Sequence, residues 1–191
     1  MGPLGINLTH QQHTPATGAV FLAVLVKKTA AQNRFWFLTV KIEQRIKELK
    51  LFLVEPAKPV GAYVPAVRCG DMIITSGQLP FQDQRLVFPG RVGKEVTLEN
   101  AKRAARAAVM NALAAVKHVC GDLDKVTKIV RMNGYICSAL SFNDQPAVLN
   151  AASDLLIDVF GEAIGQHTRC AIGVFELPLR ASVEIDLTVL A

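Results

Sequence analysis

The apolar positions along the chain switch between a period of two and a period near three and a half, and the switches mark out its elements. The last stretch, residues 167–190 (HTRCAIGVFELPLRASVEIDLTVL), alternates on both sides of a Leu-Pro turn and predicts two strands. In the first, Arg169, Ala171, Gly173 and Phe175 share one face, and Cys170, Ile172 and Val174 the other. In the second, Val183, Ile185, Leu187 and Val189 oppose Ser182, Glu184, Asp186 and Thr188. Residues 63–68 and 72–76 are β-rich and flank Cys69-Gly70-Asp71, a hairpin signal. QDQR then reads as a turn, with a short third strand at 86–88. The helical period follows. Thr97 is an N-cap with Glu99 in the first turn, then come Ala101, Ala105, Ala108, Val109, Ala112, Leu113 and Val116, and Gly121 ends the helix. A strand over 126–137 is interrupted at Asn133-Gly134. A second helix starts around Asn143-Asp144-Gln145-Pro146 and stops at Gly161, and EAIGQH leads into the closing pair.

The order is βββ-α-β-α-ββ, which predicts a two-layer α+β domain: a mixed sheet with two helices packed on one face. The run Val183, Ile185, Leu187 is too apolar to be left in water on the other face, and a homo-oligomer is the expected cover. Ahead of the body, Ile42, Ile46 and Leu49 fall at i, i+4, i+7 in a short amphipathic helix, ended by Pro56 and Pro59 in a linker. The expected organisation is a leader over 1–39, poorly ordered or not native, a helix and Pro linker over 40–60, and a body over 61–191. The apolar run at 18–26 is too short to span a bilayer, and the lysines follow it rather than precede it as in an export signal.

Charge alters the picture once it is located. The formal net charge is +5, but residues 1–60 hold eight Lys/Arg and three Asp/Glu (8 − 3 = +5), while 61–191 hold thirteen of each (13 − 13 = 0). The body therefore offers no basic face to a phosphate backbone, and nucleic acid is not the expected partner. The four cysteines make no CxxC pair and the four histidines no cluster, so no metal site is expected, and free thiols suit a cytoplasmic protein. Arg169, opening a strand among small residues, suits a planar anion such as a carboxylate. The competing reading makes it a surface residue, or the ion-pair partner of Glu184.

The segments AYVPAVRCGDMIITSGQLP, HTRCAIGV, ELPL and ASVEIDLTVL together resemble the RidA/YjgF family, long labelled endoribonuclease L-PSP, over about residues 40–191. The NAASDLL and VFGE segments are similar to its chorismate-mutase-like subgroup. The resemblance implies a homotrimer with ligand clefts between neighbouring subunits. It matches Arg169 to the arginine that holds a substrate carboxylate, Glu184 to the acid that positions water, and Tyr63 to a tyrosine lining the cleft. Ser76 and Gly77 match the Ser-Gly of the cleft wall. The helix asparagine of the family falls on Asn150 or on Ser153. Where the family often has a cysteine two residues after the arginine, this chain has Ala171, and Cys170 lies on the opposite strand face as a small buried hydrophobe.

What the resemblance implies chemically is hydrolysis of reactive 2-enamine or 2-imine acids to 2-keto acids and ammonia, without cofactor. Arg169 would orient the substrate, and Glu184, on the neighbouring strand, would exchange protons with water and ammonia. His167, two before Arg169 on the same strand face, reads as an ordinary loop histidine, with a place in the cleft lining as the alternative. The alternatives are a trimeric module that binds small carboxylates without turnover and, less favoured, an endoribonuclease.

Overall fold

The structure, a computed structural model, describes residues 41–54 and 61–191. The expected leader and the two linker prolines lie outside the described residues. Helix α1 (Ile42–Glu48) buries Ile46 and is docked at both ends. The Ile42 N–H donates to Asp124 Oδ1 at 2.6 Å, and Arg45 Nε donates to the Asp158 carbonyl at 3.0 Å. It stops before the prolines are reached. Lys50 turns left-handed (φ 56°) and the Leu51 N–H closes onto the Ile46 carbonyl, so local closure ends the helix.

Strands β1 (Ala66–Cys69) and β2 (Met72–Thr75) form the expected hairpin across Gly70-Asp71. The third strand is not at 86–88. Its place is taken by a small separate hairpin, β3 (Phe81–Gln82) and β4 (Arg85–Leu86). Asp83 and Gln84 both adopt positive φ (47° and 62°), the geometry of a tight two-residue turn. Asn111 holds this hairpin by donating to the carbonyls of Leu79 and Phe81.

Helix α2 (Leu98–Cys120) begins as expected: the Thr97 hydroxyl accepts from the Asn100 N–H, and Gly121 is its C-cap. Its alanines let it lie close on the sheet. Strand β5 (Lys128–Cys137) runs unbroken through Asn133-Gly134, with its irregularity between Ile129 and Arg131. Gly134 is needed because Leu149 packs onto it: a Cβ there would meet the leucine's methyl groups. Helix α3 (Gln145–Gly165) is kinked rather than stopped at Gly161 (φ 74°), and one further turn carries it to Gly165. Strand β6 (Thr168–Val174), a short 3₁₀ turn (Pro178–Arg180) and β7 (Val183–Leu190) complete the chain.

The five-stranded sheet has the order β1-β2-β7-β5-β6, with β5 and β6 parallel and the other pairs antiparallel. A mixed sheet under two long helices is the α+β architecture read from the sequence. One part of that reading is corrected. Val183, Ile185, Leu187 and Val189 are fully buried in one core with residues of α2 and α3, so the chain covers this run itself. The uncovered face carries Glu184, Asp186 and Thr188, together with the cross-strand pair Val67 and Ile74, 49% and 39% exposed. Among the described residues no helix is long and apolar enough to cross a membrane.

Candidate functional site

Arg169 stands on β6, at the edge of the sheet. Its ladder partner on β5 is the buried Met132, so its side chain emerges on the helix-covered face. There α3 meets it with two residues one turn apart. Arg169 Nη1 donates to Asn150 Oδ1 at 2.9 Å and to Ser153 Oγ at 3.1 Å. The family resemblance leaves the helix position as Asn150 or Ser153, and the structure has both on the same nitrogen. Among the described residues no carboxylate lies within ion-pair distance of Arg169, so the expected alternative of an Arg169–Glu184 pair is not formed. Both hydrogens of Nη1 are used by neutral acceptors, and Nε and Nη2 have no partner among the described residues. That free edge is the one that pairs bidentately with a carboxylate.

His167 belongs to the same cluster. Its Nδ1 lies 2.6 Å from the Gly165 carbonyl and its Nε2 3.1 Å from Ser153 Oγ. It is a half-buried member of a hydrogen-bonded chain, not a plain loop residue. Burial lowers its pKa below the ordinary 6.5, and nearby Arg169 and Lys128 lower it further against the opposing bond to Gly165. Ala171 sits two residues on from Arg169, on the same face, opposite Gly134 and packed against the core. Cys170 points the other way, opposite Asn133, and is half-exposed rather than buried.

Glu184 occupies the open face of β7, half-buried, directly across from Tyr135 of β5. Gln78 and Ile185 exchange backbone bonds of 2.8 and 3.0 Å, which extends the ladder beyond β2 and brings Gly77 beside Glu184. A Cβ at Gly77 would fall on the Glu184 carboxylate, so only glycine admits this contact. The Ser76 hydroxyl donates to the Val64 carbonyl at 2.7 Å, fixing the extended segment that presents Tyr63, 56% exposed. Burial raises the Glu184 pKa above its ordinary 4.5, and the Asp186 carboxylate raises it further. Tyr135 is raised by burial and then by Asp186 and Glu184. Asn133 donates to Asp186 Oδ1 at 2.8 Å and completes a polar row along this face.

The expected residues therefore fall into two groups. Asn150, Ser153, Arg169 and Ala171 are on the helix-covered side at the sheet edge. Glu184, with Gly77 against it, is on the open side, and Ser76 and the exposed Tyr63 belong to the segments leading to Gly77. The strand of Glu184 is not next to that of Arg169, because β5 lies between them, and the two side chains leave opposite faces. Two hollows, of about 270 and 410 Å³, lie beside Arg91 and Phe52, and none of these eight residues lines either. Sequence reasoning favoured a loop role for His167 and passed over Tyr135, Asn133 and Asp186. Asp186 shares the alternation of Glu184, but Tyr135 and Asn133 needed the β5–β7 register. Among the described residues no group of three His, Cys, Asp or Glu side chains could hold a metal ion.

Residues 43–188 match the family model described as "YjgF/chorismate mutase-like, putative endoribonuclease". The Trypanosoma cruzi protein TCP17 is 38% identical over 149 residues, which is 78% of this chain and 93% of that protein. The crystal structure of Atu1372 from Agrobacterium tumefaciens is 41% identical with a TM-score of 0.72, covering 78% of this chain and 91% of that one. The crystal structure of "a putative endoribonuclease" from Shewanella oneidensis is 33% identical with a TM-score of 0.77, covering 80% of this chain and all of that one. By the family model matched over residues 43–188 and by these likenesses, the chain belongs to the YjgF/RidA family.

Proposed function

We propose that two copies of this chain form a cleft in which a 2-enamine or 2-imine carboxylic acid is hydrolysed to the 2-keto acid and ammonia. The observation that carries this reading is Arg169, a guanidinium held by two neutral side chains with one edge unused. Such a group binds a carboxylate along Nε and Nη2 and aims the adjoining imine carbon. The acid comes from the neighbouring copy, since Glu184 leaves the other face of its own sheet. With an enamine first tautomerised to the imine, Glu184 takes one proton from water as the new C–O bond forms and passes it to the imine nitrogen. It then carries the hydroxyl proton of the resulting carbinolamine to nitrogen as the C=O bond forms and the C–N bond breaks, giving keto acid and ammonia. A carboxyl group whose pKa is raised by burial is suited to both transfers. Tyr63, Ser76 and Gly77 line the wall beside it, Asn150 and Ser153 hold the arginine, and Ala171 puts no thiol on the arginine's face of the strand.

The copies associate as a homotrimer, with Val67 and Ile74 of the uncovered face shielded in it. The four free cysteines suit a reducing cytosol. A second reading, a module that binds small carboxylates without turnover, has one observation in its favour: the Arg169 grip is complete within one copy and needs no Glu184 to bind an anion. Cleavage of RNA, suggested by the family's description, lacks support in the charge balance of residues 61–191.

The test is release of ammonia and keto acid from 2-aminoacrylate generated in situ. Arg169→Ala, at unchanged oligomer size, is expected to lower kcat/KM by about 100-fold, the scale of a lost charge-assisted pair. Wild-type rates equal to buffer across several precursors, with pyruvate still bound, select the binding module instead.

A further inference from the structure

We infer that His167, acting through Ser153, is a positioning residue that fixes the pose of Arg169. The hydrogen-bond directions follow from the partners. A carbonyl oxygen only accepts, so the 2.6 Å contact with Gly165 requires the ring hydrogen on Nδ1. In the neutral ring Nε2 is then a bare acceptor, and Ser153 must be the donor across the 3.1 Å contact. With its hydrogen committed to His167, the Ser153 oxygen presents lone pairs to Arg169, 3.1 Å from Nη1. The chain runs one way: Arg169 to Ser153, Ser153 to His167, His167 to the backbone at the end of α3.

Both ends of this chain are anchored. Gly165 is locked in place because a Cβ there would meet the backbone of α3 at Leu156 and Ile157. Asn150 takes the second hydrogen of Nη1. A serine with no acceptor of its own rotates freely and offers its hydrogen as readily as its lone pairs. His167 removes that freedom, so Nη1 stays occupied and the Nε–Nη2 edge stays turned outward.

The arrangement holds only for the neutral ring. On protonation Nε2 becomes a donor. The Ser153 oxygen can accept from it and from Arg169 together, but its own hydrogen loses its acceptor and a second cation stands beside the guanidinium. The charged groups acting on the ring are Arg169, two residues on in β6, and Lys128 on β5, both cationic, and α3 contributes the uncharged Ser153 hydroxyl and Gly165 carbonyl. Burial together with these two cations moves protonation of the ring to lower pH than that of an ordinary histidine, against the opposing bond to Gly165.

This inference rests on the reading of Arg169 as a carboxylate grip, and the test separates the two. Pyruvate binding is titrated by calorimetry as pH is lowered through the histidine range. His167→Leu is expected to weaken pyruvate by about tenfold, the scale of one hydrogen bond to a charged group. His167→Gln, whose side-chain oxygen can accept from Ser153, is expected to restore it and to remove the loss on acidification seen in wild type. The restoration is expected to vanish when Ser153→Ala is added. Wild-type affinity in His167→Leu, or independent effects of the His167 and Ser153 changes, overturns the positioning role and leaves the grip standing. If wild type binds no pyruvate, the grip fails. The positioning role is then decided by nitrogen NMR of the Arg169 guanidinium. Hindered rotation in wild type and His167→Gln but not in His167→Leu supports it, and equal rotation in all three overturns it.

Discussion

Glu184 shows how far a single position is determined by what stands over and beside it. Gly77 leaves room for the carboxylate, Asp186 repels its charge, and the open face of β7 half-buries it. The folded chain therefore holds this proton to higher pH than the unfolded chain does. Stability from the protonated form is complete below the unfolded value of 4.5 and is lost as pH rises through the raised folded value. Glu184→Gln, which cannot ionise, is expected to raise Tm near pH 8 and to leave it close to wild type near pH 4, as read by thermal scans at both. The same variant is expected to abolish turnover while retaining pyruvate binding. Much at this scale was legible: alternation alone assigned Arg169 and Ala171 to one face and Cys170 to the other. The choice between Asn150 and Ser153 was not, because residues three apart on a helix share a face and both reach the arginine. Nor was His167, whose role depends on the end of α3 folding back beside it.

The elements explain why two strands consecutive in sequence are not neighbours in the sheet. A parallel β5–β6 pair needs a crossover, α3 supplies it, and β7 then enters on the other side of β5. Periodicity gives a strand its faces but not its neighbours, so Glu184 was expected beside Arg169 and stands two strands away. Caps were readable because their chemistry is local, as at Thr97 and Gly121. Gly161 was misleading because glycine that ends one helix can kink another, and Gly134 because it answers to Leu149 on a distant helix. The contact between Gly134 and Leu149 seats α3 on the sheet and with it Asn150 and Ser153. Gly134→Ala is therefore expected to cost about 1–3 kcal/mol by overpacking. It is also expected to weaken pyruvate binding, measured by chemical denaturation and calorimetry on the same sample.

For the whole molecule, each copy holds two groups of expected site residues apart from one another, and under the proposed function association brings them into one cleft. The proposed contact is the uncovered face, with Val67 and Ile74 paired across β1 and β2 in the open. Val67→Asp is expected to give a smaller species by sedimentation with unchanged circular dichroism, and to lose turnover although no expected site residue is altered. The sequence argued for an oligomer from Val183, Ile185 and Leu187, and these lie under the chain's own helices. An apolar alternation marks a buried face without saying whose atoms bury it.

The most direct measurement is subunit complementation. Arg169→Ala and Glu184→Gln chains are purified separately and also co-expressed as mixed oligomers, and keto-acid release is measured for each. If the cleft takes Arg169 from one copy and Glu184 from the next, each variant alone is inactive. A random equal mixture then recovers about a quarter of wild-type activity, since only clefts pairing the two intact residues work. A mixture as inactive as its parents, with mixed oligomers shown by mass spectrometry, would contradict the shared cleft.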